Sequence, residues 1–309
     1  MTEDALTASA RTAVEQCLAV TPDETVLVVT DPERRPIGEA IRAASERVAD
    51  ATVYCEITAD DRHGAEPSAP VAAAMRASDV VLAPTTRSLT HTDATQRACD
   101  AGARVATMPG VTEAIMAGAM TADYDDVAER CDALLAQVAD ADAIHLATDA
   151  GTDLSLAIGD RDWRADTGLC HDDGCLTNLP AGEVFVAPTS GDGTLVVDGA
   201  MAGMGRLDEP IEIAFEDGRA VDVDHDGLRE RIDDAGDCGR HLAELGIGVN
   251  PAATLIGEVL QDEKVAGTIH VAVGDSSGFG GDVDCPLHLD GVVRAPTVTA
   301  DGEPVALPD

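Results

Sequence analysis

Residues 79–107 read DVVLAPTTRSLTHTDATQRACDAGARVAT, and this stretch decides the fold. Asp79-Val80-Val81-Leu82-Ala83 is a short continuous apolar run closed by Pro84, the pattern of a strand buried on both faces. A helix is expected near 93–101, and Arg104-Val105-Ala106-Thr107 reads as the next strand. Strand, helix, strand in this order is the unit of a mostly parallel, helix-covered sheet. Such sheets bind ligands beyond the carboxyl ends of their strands, so the hydroxyl-rich loop Pro84–Thr92, with its one histidine, is expected to face an active cleft.

The same alternation extends in both directions. A helix over 4–19 precedes the buried strand Thr25-Val26-Leu27-Val28-Val29-Thr30. Helices near 36–48, 70–76, 110–118 and 124–138 then alternate with strands at 51–57 and Ile144–Thr148. No Gly-x-Gly-x-x-Gly follows the first strand and no Walker lysine occurs in this half, which excludes the usual dinucleotide and nucleoside-triphosphate cradles. After residue 149 glycines, short β-rich runs and turn signals such as Asp217-Gly218 and Asp290-Gly291 take over, with one helical stretch near 226–245. The expectation is an α/β domain over 1–149 and an α+β domain over 150–309, with a site facing the cleft between them.

Two domains suit 309 residues. Hydrophobic residues make up 45% of the chain and aromatic residues only 2%, so the cores must be built from Ala, Val, Leu and Ile. The formal charge of -38 makes nucleic acid an unsuitable partner. It also indicates adaptation to a salty cytoplasm, because acidic repulsion is screened over about 3 Å at 1 M salt against about 10 Å at 0.1 M. The fold is therefore expected to unfold below roughly 1 M salt, which a thermal melt against potassium chloride concentration measures; a flat profile would contradict it. Eight cysteines, several within apolar patterns, are expected to be reduced buried thiols. No stretch approaches the length of a membrane span and no leader pattern opens the chain, so a cytoplasmic protein is expected.

The chemistry-bearing residues lie toward the C-terminal end. Gly267–Gly274 is a buried-strand pattern containing His270, and Leu287-His288-Leu289-Asp290 follows. Residues two apart in a strand share a side, so His288 and Asp290 present an imidazole and a carboxylate to one point. Either histidine alone is more simply a hydrogen-bonded core residue. Two imidazoles with a carboxylate suit Zn, Fe, Mn or Co. Glu183 and Glu244 lie next to apolar sequence, where a carboxylate either faces solvent from an edge strand or turn or, if buried, needs a cation.

The segments NLPAGEVFVAP (178–188), AELGIGVNP (243–251), DEKVAGTIH (262–270) and HLD (288–290) resemble, in that order, the signatures of the aminopeptidase T and aminopeptidase S family of metallopeptidases. The resemblance implies a metal-dependent aminopeptidase acting on short peptides through a metal-activated water. Two divalent ions, Zn, Co or Mn, would be held by Glu183, Glu244, His270, His288 and Asp290 in a homodimer, with Glu183 or Glu244 as proton shuttle. Where the family has a tyrosine ligand, this chain reads Gly274-Asp275-Ser276-Ser277-Gly278-Phe279, and its two tyrosines are Tyr54 and Tyr124. The same scaffold resembles 2,5-dihydroxypyridine dioxygenase. That alternative implies Fe(II) on a triad of His270, His288 and Asp290, a small-molecule substrate, and His91 as acid or base.

Three further patterns carry less. Asp222–Gly227 opens like a calcium loop but reads better as the end of a hairpin. Cys170 and Cys175 lack the second pair of a zinc ribbon, and GAMAGMG (199–205) reads as a glycine-rich turn.

Overall fold

The computed structural model describes residues 3–59 and 61–309 and divides into two compact units. The first contains the chain up to Ala128 together with Asp166–Ala181, and the second contains Glu129–Ala165 and Gly182–Asp309. This division differs from the expected boundary at 149/150 because of two strands. Ala143–Ala147 pairs inside the second unit, and Leu176–Asn178 pairs inside the first.

The first unit is built on a parallel sheet in the order Ala51–Glu56, Thr25–Thr30, Val80–Thr85, Arg104–Pro109, Leu176–Asn178. Val26–Val29 and Val80–Ala83 are fully buried, as continuous apolar runs covered by helices must be. Val53, on the edge strand, is exposed. The covering helices include Arg35–Ser45, Ala69–Arg76 and Asp93–Asp100. Thr92 caps the third of these by accepting from the Thr95 amide, and Pro36 and Pro70 stand in the first turns of the other two. One face of the sheet packs Leu27, Val29, Val81 and Val105 against Met75 and Ala98.

Ile144–Thr148 was expected to extend this sheet and does not. The strand Ala143–Ala147 instead pairs antiparallel with Asp153–Ala157 and Thr297–Ala300. Its burial alternates, with Ile144 and Leu146 inside and His145 between them half-exposed, which is the pattern of a strand wet on one face. The helix expected over 4–19 is an α-helix over Glu3–Arg11 that widens into a π-helical turn over Thr12–Cys17.

The second unit holds two antiparallel sheets. One carries Arg219–Val223, Ile211–Glu216, Ser190–Val197, Asp153–Ala157, Ala143–Ala147 and Thr297–Ala300 side by side. Its hairpin turns at Asp217 and Gly218, both at positive φ (49° and 72°), so the acids of 222–227 end a hairpin and begin a helix. The other sheet carries Ala200–Met201, His288–Val293, Ile269–Gly274, Leu242–Gly248 and Glu183–Val186. The helix expected near 226–245 covers only Asp226–Asp234, and Leu242–Gly248 is a fully buried strand. The apolar run that follows Gly236 and Gly239 explains the difference, since it has no polar face to turn toward water.

Four of the eight cysteines are not free thiols: Cys170–Cys175 and Cys238–Cys285 are disulfides, with Cα separations of 5.5 and 5.6 Å. In the first pair, a turn in which the Cys175 amide donates to the Asp172 carbonyl brings close neighbours together. Cys17, Cys55, Cys99 and Cys131 are not in disulfides. No described helix is long and apolar enough to cross a membrane.

Candidate metal centre

Strand register places the five carboxylates and imidazoles singled out in the sequence on one face of the second unit's sheet that contains Leu242–Gly248 and Ile269–Gly274. Glu183 lies opposite Gly248, Gly246 opposite His270, Ala272 opposite both Glu244 and Asp290, and Gly274 opposite His288. Directly opposed residues share a face, and so do residues two apart along a strand. Glu183, Glu244, His270, His288 and Asp290 therefore project together. The positions between them are filled by Gly246, Gly248, Ala272 and Gly274, which leave the face hollow enough for the long side chains to converge.

Gly246 is decisive for that space, because a Cβ there would overlap the His270 imidazole. Gly246→Ala is expected to force the ring off its rotamer and lower metal retention by at least about tenfold, measured as metal content after gel filtration. Retention equal to the parent chain would contradict the role of the gap.

The converging atoms form two overlapping sets, Glu183–Glu244–His270 and Glu244–His288–Asp290. Glu244 bridges them, its two oxygens each 3.3 Å from one imidazole, that of His270 or of His288. His270 Nε2 is also 3.3 Å from Glu183 Oε2, and His288 Nε2 is 3.2 Å from Asp290 Oδ1. His288 Nδ1 lies 2.7 Å from the Asp275 carbonyl, which can only accept, so Nδ1 carries a proton and Nε2 is the nitrogen aimed at the carboxylates. The His288 ring stands edge-on to Phe279, which in turn meets Phe185.

Lys264 is the residue that sequence reasoning missed. Its buried ammonium lies 2.5 Å from Glu183 Oε1 and 2.8 Å from Glu263 Oε1. The signal was available, since this is the one lysine in a chain of 309 residues and it sits inside DEKVAGTIH. Gly248 admits it, because a Cβ there would strike the Lys264–Val265 backbone.

The electrostatics follow from four carboxylates, Glu183, Glu244, Glu263 and Asp290, sharing one ammonium. Burial opposes charge on every member. For Glu183 burial prevails over the pull of Lys264 and His270 and raises its pKa to about 8. For His270 burial is outweighed by Glu244 and Glu183, lifting it to about 9, and for His288 it is outweighed by Asp290 and Glu244, lifting it to about 12. Asp290 is held well below the usual carboxylate range: burial pushes it up, and His288 more than offsets this.

These residues fit a divalent ion. The carboxylates outnumber the ammonium, Glu183 Oε2 and His270 Nδ1 are buried without a hydrogen-bond partner, and the donors are the nitrogens and oxygens that Fe, Zn, Mn or Co accept. Protons on the two imidazoles balance the excess negative charge when no ion does, so loading must displace them. Metal affinity is therefore expected to rise with pH, more steeply below about 9, where both imidazoles must release a proton, than above it, where only His288 must, on the order of tenfold per unit for each proton released. Calorimetry in buffers of different ionisation enthalpy measures the release, and a pH-independent affinity would contradict it.

His91 is not part of this cluster. It is exposed and belongs to the first unit, on the loop where Ser88 donates to Thr90 and Thr90 bonds Thr107. His270, His288 and Asp290 do not form a closed set by themselves, because Glu244 stands between the imidazoles.

Comparison with known proteins fixes the family. The model of the family described as NicX, 2,5-dihydroxypyridine 5,6-dioxygenase, matches residues 5–307. Among solved structures, 2,5-dihydroxypyridine dioxygenase from Pseudomonas putida KT2440 is similar at a TM-score of 0.81 with 20% identity, covering 100% of this chain and 97% of that one. Wild-type AmpT from Thermus thermophilus is similar at a TM-score of 0.69 with 19% identity, covering 98% of this chain and 100% of that one. Among curated proteins none matches. The aminopeptidase reading of the four sequence segments is thereby overturned, since the family match is to the dioxygenase and the likeness to AmpT is one of fold. Those segments describe the strands and glycine gaps of a shared scaffold.

Proposed function

Because the chain belongs to the NicX family of 2,5-dihydroxypyridine 5,6-dioxygenases, we propose that it opens a dihydroxylated aromatic ring with dioxygen, using one ferrous ion held by His270, His288 and Asp290 together with Glu244, which lies between the two imidazoles. The family match over 5–307 carries the reaction class. The arrangement around Glu183 supports one ion in place of two. Lys264 already balances that carboxylate, and no tyrosine lies among residues 274–279 to complete a second set. Two imidazoles and a carboxylate are the donor set of non-haem ferrous oxygenases.

When bound, ferrous iron supplies the redox chemistry through which dioxygen and an electron-rich ring react. The side chains do the remaining work. The Asp275 carbonyl fixes the His288 tautomer, and Asp290 stays ionised beside it. Glu244 lies within reach of both imidazoles, one oxygen to each, and would help to orient them toward a bound ion. Glu183, raised to about 8, can hold or release a proton near neutral pH, and it is our proposed acid–base group.

Metal content tests the count. Protein reloaded with ferrous iron under anaerobic conditions should retain about one equivalent per chain, and Glu183→Gln should keep both that iron and part of the oxygen uptake. Two equivalents, one lost on Glu183→Gln, would overturn the single-ion assignment.

A further inference from the structure

Phe185 and Phe279 take no part in the chemistry assigned to the metal centre, although they stand beside it. Phe185 is two residues along its strand from Glu183 and lies opposite Gly246, which in turn lies opposite His270. Register therefore puts its ring on the face that carries the candidate ligands, across the Gly246 gap from His270. Phe279 joins this ring to the ligands: its centroid is 5.7 Å from that of Phe185, at 69° between planes, and 5.9 Å from that of His288, at 88°. The two phenylalanines make one apolar wall beside the carboxylates and imidazoles.

Core packing does not account for this pair. The chain has three phenylalanines, two tyrosines and one tryptophan. Phe215, Tyr124 and Trp163 are buried, as scarce large apolar rings should be. Phe185 and Phe279 are only half-buried, while Val184, Val186, Ile247 and Ile269 fill the opposite face of the same sheet completely. Two rings left partly open side by side on a polar face forgo part of the gain of burial, and they offer that surface to an apolar ligand.

The wall is held in place before any ligand arrives. Phe279 lies on the loop 275–287, where the Ser276 amide donates to the Val283 carbonyl and the Gly281 amide to the Ser276 carbonyl, both at 2.9 Å. Arg161 donates to the Gly280 carbonyl and pairs with Asp282. The Cys285 amide donates to Asp275 Oδ1 at 3.0 Å, and the Cys238–Cys285 disulfide ties the end of the loop to the segment before Leu242–Gly248. A ring fixed in this way does not need to be ordered when a ligand binds.

We propose that Phe185 and Phe279 are the specificity-determining residues of the site, taking the aromatic ring of the substrate against their open surface and selecting a flat, unsaturated ring over a saturated one. The proposal rests on the ring-opening assignment. Aromatic pairs gain more than the area they bury, which a saturated ring cannot match. Neither phenylalanine offers a donor or acceptor, so the hydroxyl groups of the ring are left to the polar side of the site.

Anaerobic calorimetric titration of the iron-loaded full chain in high-salt buffer with hydroquinone and with cyclohexane-1,4-diol tests the proposal. Both compounds carry two hydroxyls across a six-membered ring, they differ in aromaticity, and no ring is opened without dioxygen. Hydroquinone is expected to bind at least about tenfold more tightly than the diol, and Phe279→Leu and Phe185→Leu should each cut that ratio about threefold or more with iron content at the parent level. Hydroxyl acidity also separates the two compounds, but it is common to parent and variants, so the change in ratio reports the rings. Phe185→Leu, one ring further from His288, serves as the test variant if Phe279→Leu loses iron. A ratio unchanged by both substitutions, or hydroquinone bound no more tightly than the diol by the parent chain, would overturn the proposal. Failure of the ring-opening assignment shows separately, as a ratio that responds to the substitutions in a protein that takes up no oxygen with 2,5-dihydroxypyridine.

Discussion

His288→Ala is expected to lower iron retention by more than about a hundredfold and to bring oxygen uptake to background, with the parallel sheet of the other unit intact. The size of the effect follows from what the ring joins. Its Nε2 lies 3.2 Å from Asp290 and 3.3 Å from Glu244, its Nδ1 is fixed by the Asp275 carbonyl, and its edge packs on Phe279. Alanine leaves Glu244 and Asp290 without the imidazole that joined them. The variant should therefore lose its metal at every pH, which separates it from the parent chain, whose loading weakens as pH falls. Metal analysis after desalting and near-ultraviolet circular dichroism give the two readouts. Iron retained at the parent level would remove His288 from the ligand set.

Lys264→Met is expected to be the most destabilising single change in the second unit, costing about 3–5 kcal/mol, because it removes the one ammonium that serves two buried acids. The pH dependence has a definite sign. Without the ammonium, the folded-state pKa of Glu183 moves further above its unfolded value. The loss of stability is then small where the unfolded carboxyl is still protonated and grows as pH rises through the folded pKa, already at about 8 in the parent. Lys264→Met combined with Glu183→Gln should recover part of the loss, because the acid that suffered is gone. Urea unfolding at acid and alkaline pH measures both. A change below about 0.5 kcal/mol would mean that the ammonium is not the counter-charge of this cluster.

What the sequence made legible follows from how local each signal is. The unbroken apolar runs at 26–29 and 80–83 fit only a sheet covered on both faces, and they form one. His288 and Asp290 are two residues apart in a strand, so their convergence could be read directly. The convergence of Glu183, Glu244 and His270 depends on the register of three strands, which a single sequence does not display. The motif order that gathered them also pointed to the wrong chemistry, because glycine gaps and strand ends define a scaffold and the reaction depends on which donors it carries. The strand Ala143–Ala147 was assigned to the wrong sheet although its alternating burial pattern is visible in Ile144-His145-Leu146. Glu244 was placed at the end of a helix because Asp226–Asp234 has helical spacing, and Gly236 and Gly239 were not read as its end. Lys264 carries no metal-ligand signature in the sequence, and its role follows only from the burial of Glu183 and Glu263, since a buried acid needs a cation of either kind.

Oxygen-electrode measurement with 2,5-dihydroxypyridine shows whether this chain uses dioxygen on a dihydroxylated ring. The experiment uses protein reloaded with ferrous iron in high salt and compared with protein reloaded with zinc. Uptake of one dioxygen per ring opened is expected, seen only with iron and lost in His288→Ala. No oxygen uptake by iron-loaded, folded protein, or equal turnover with zinc, would contradict it.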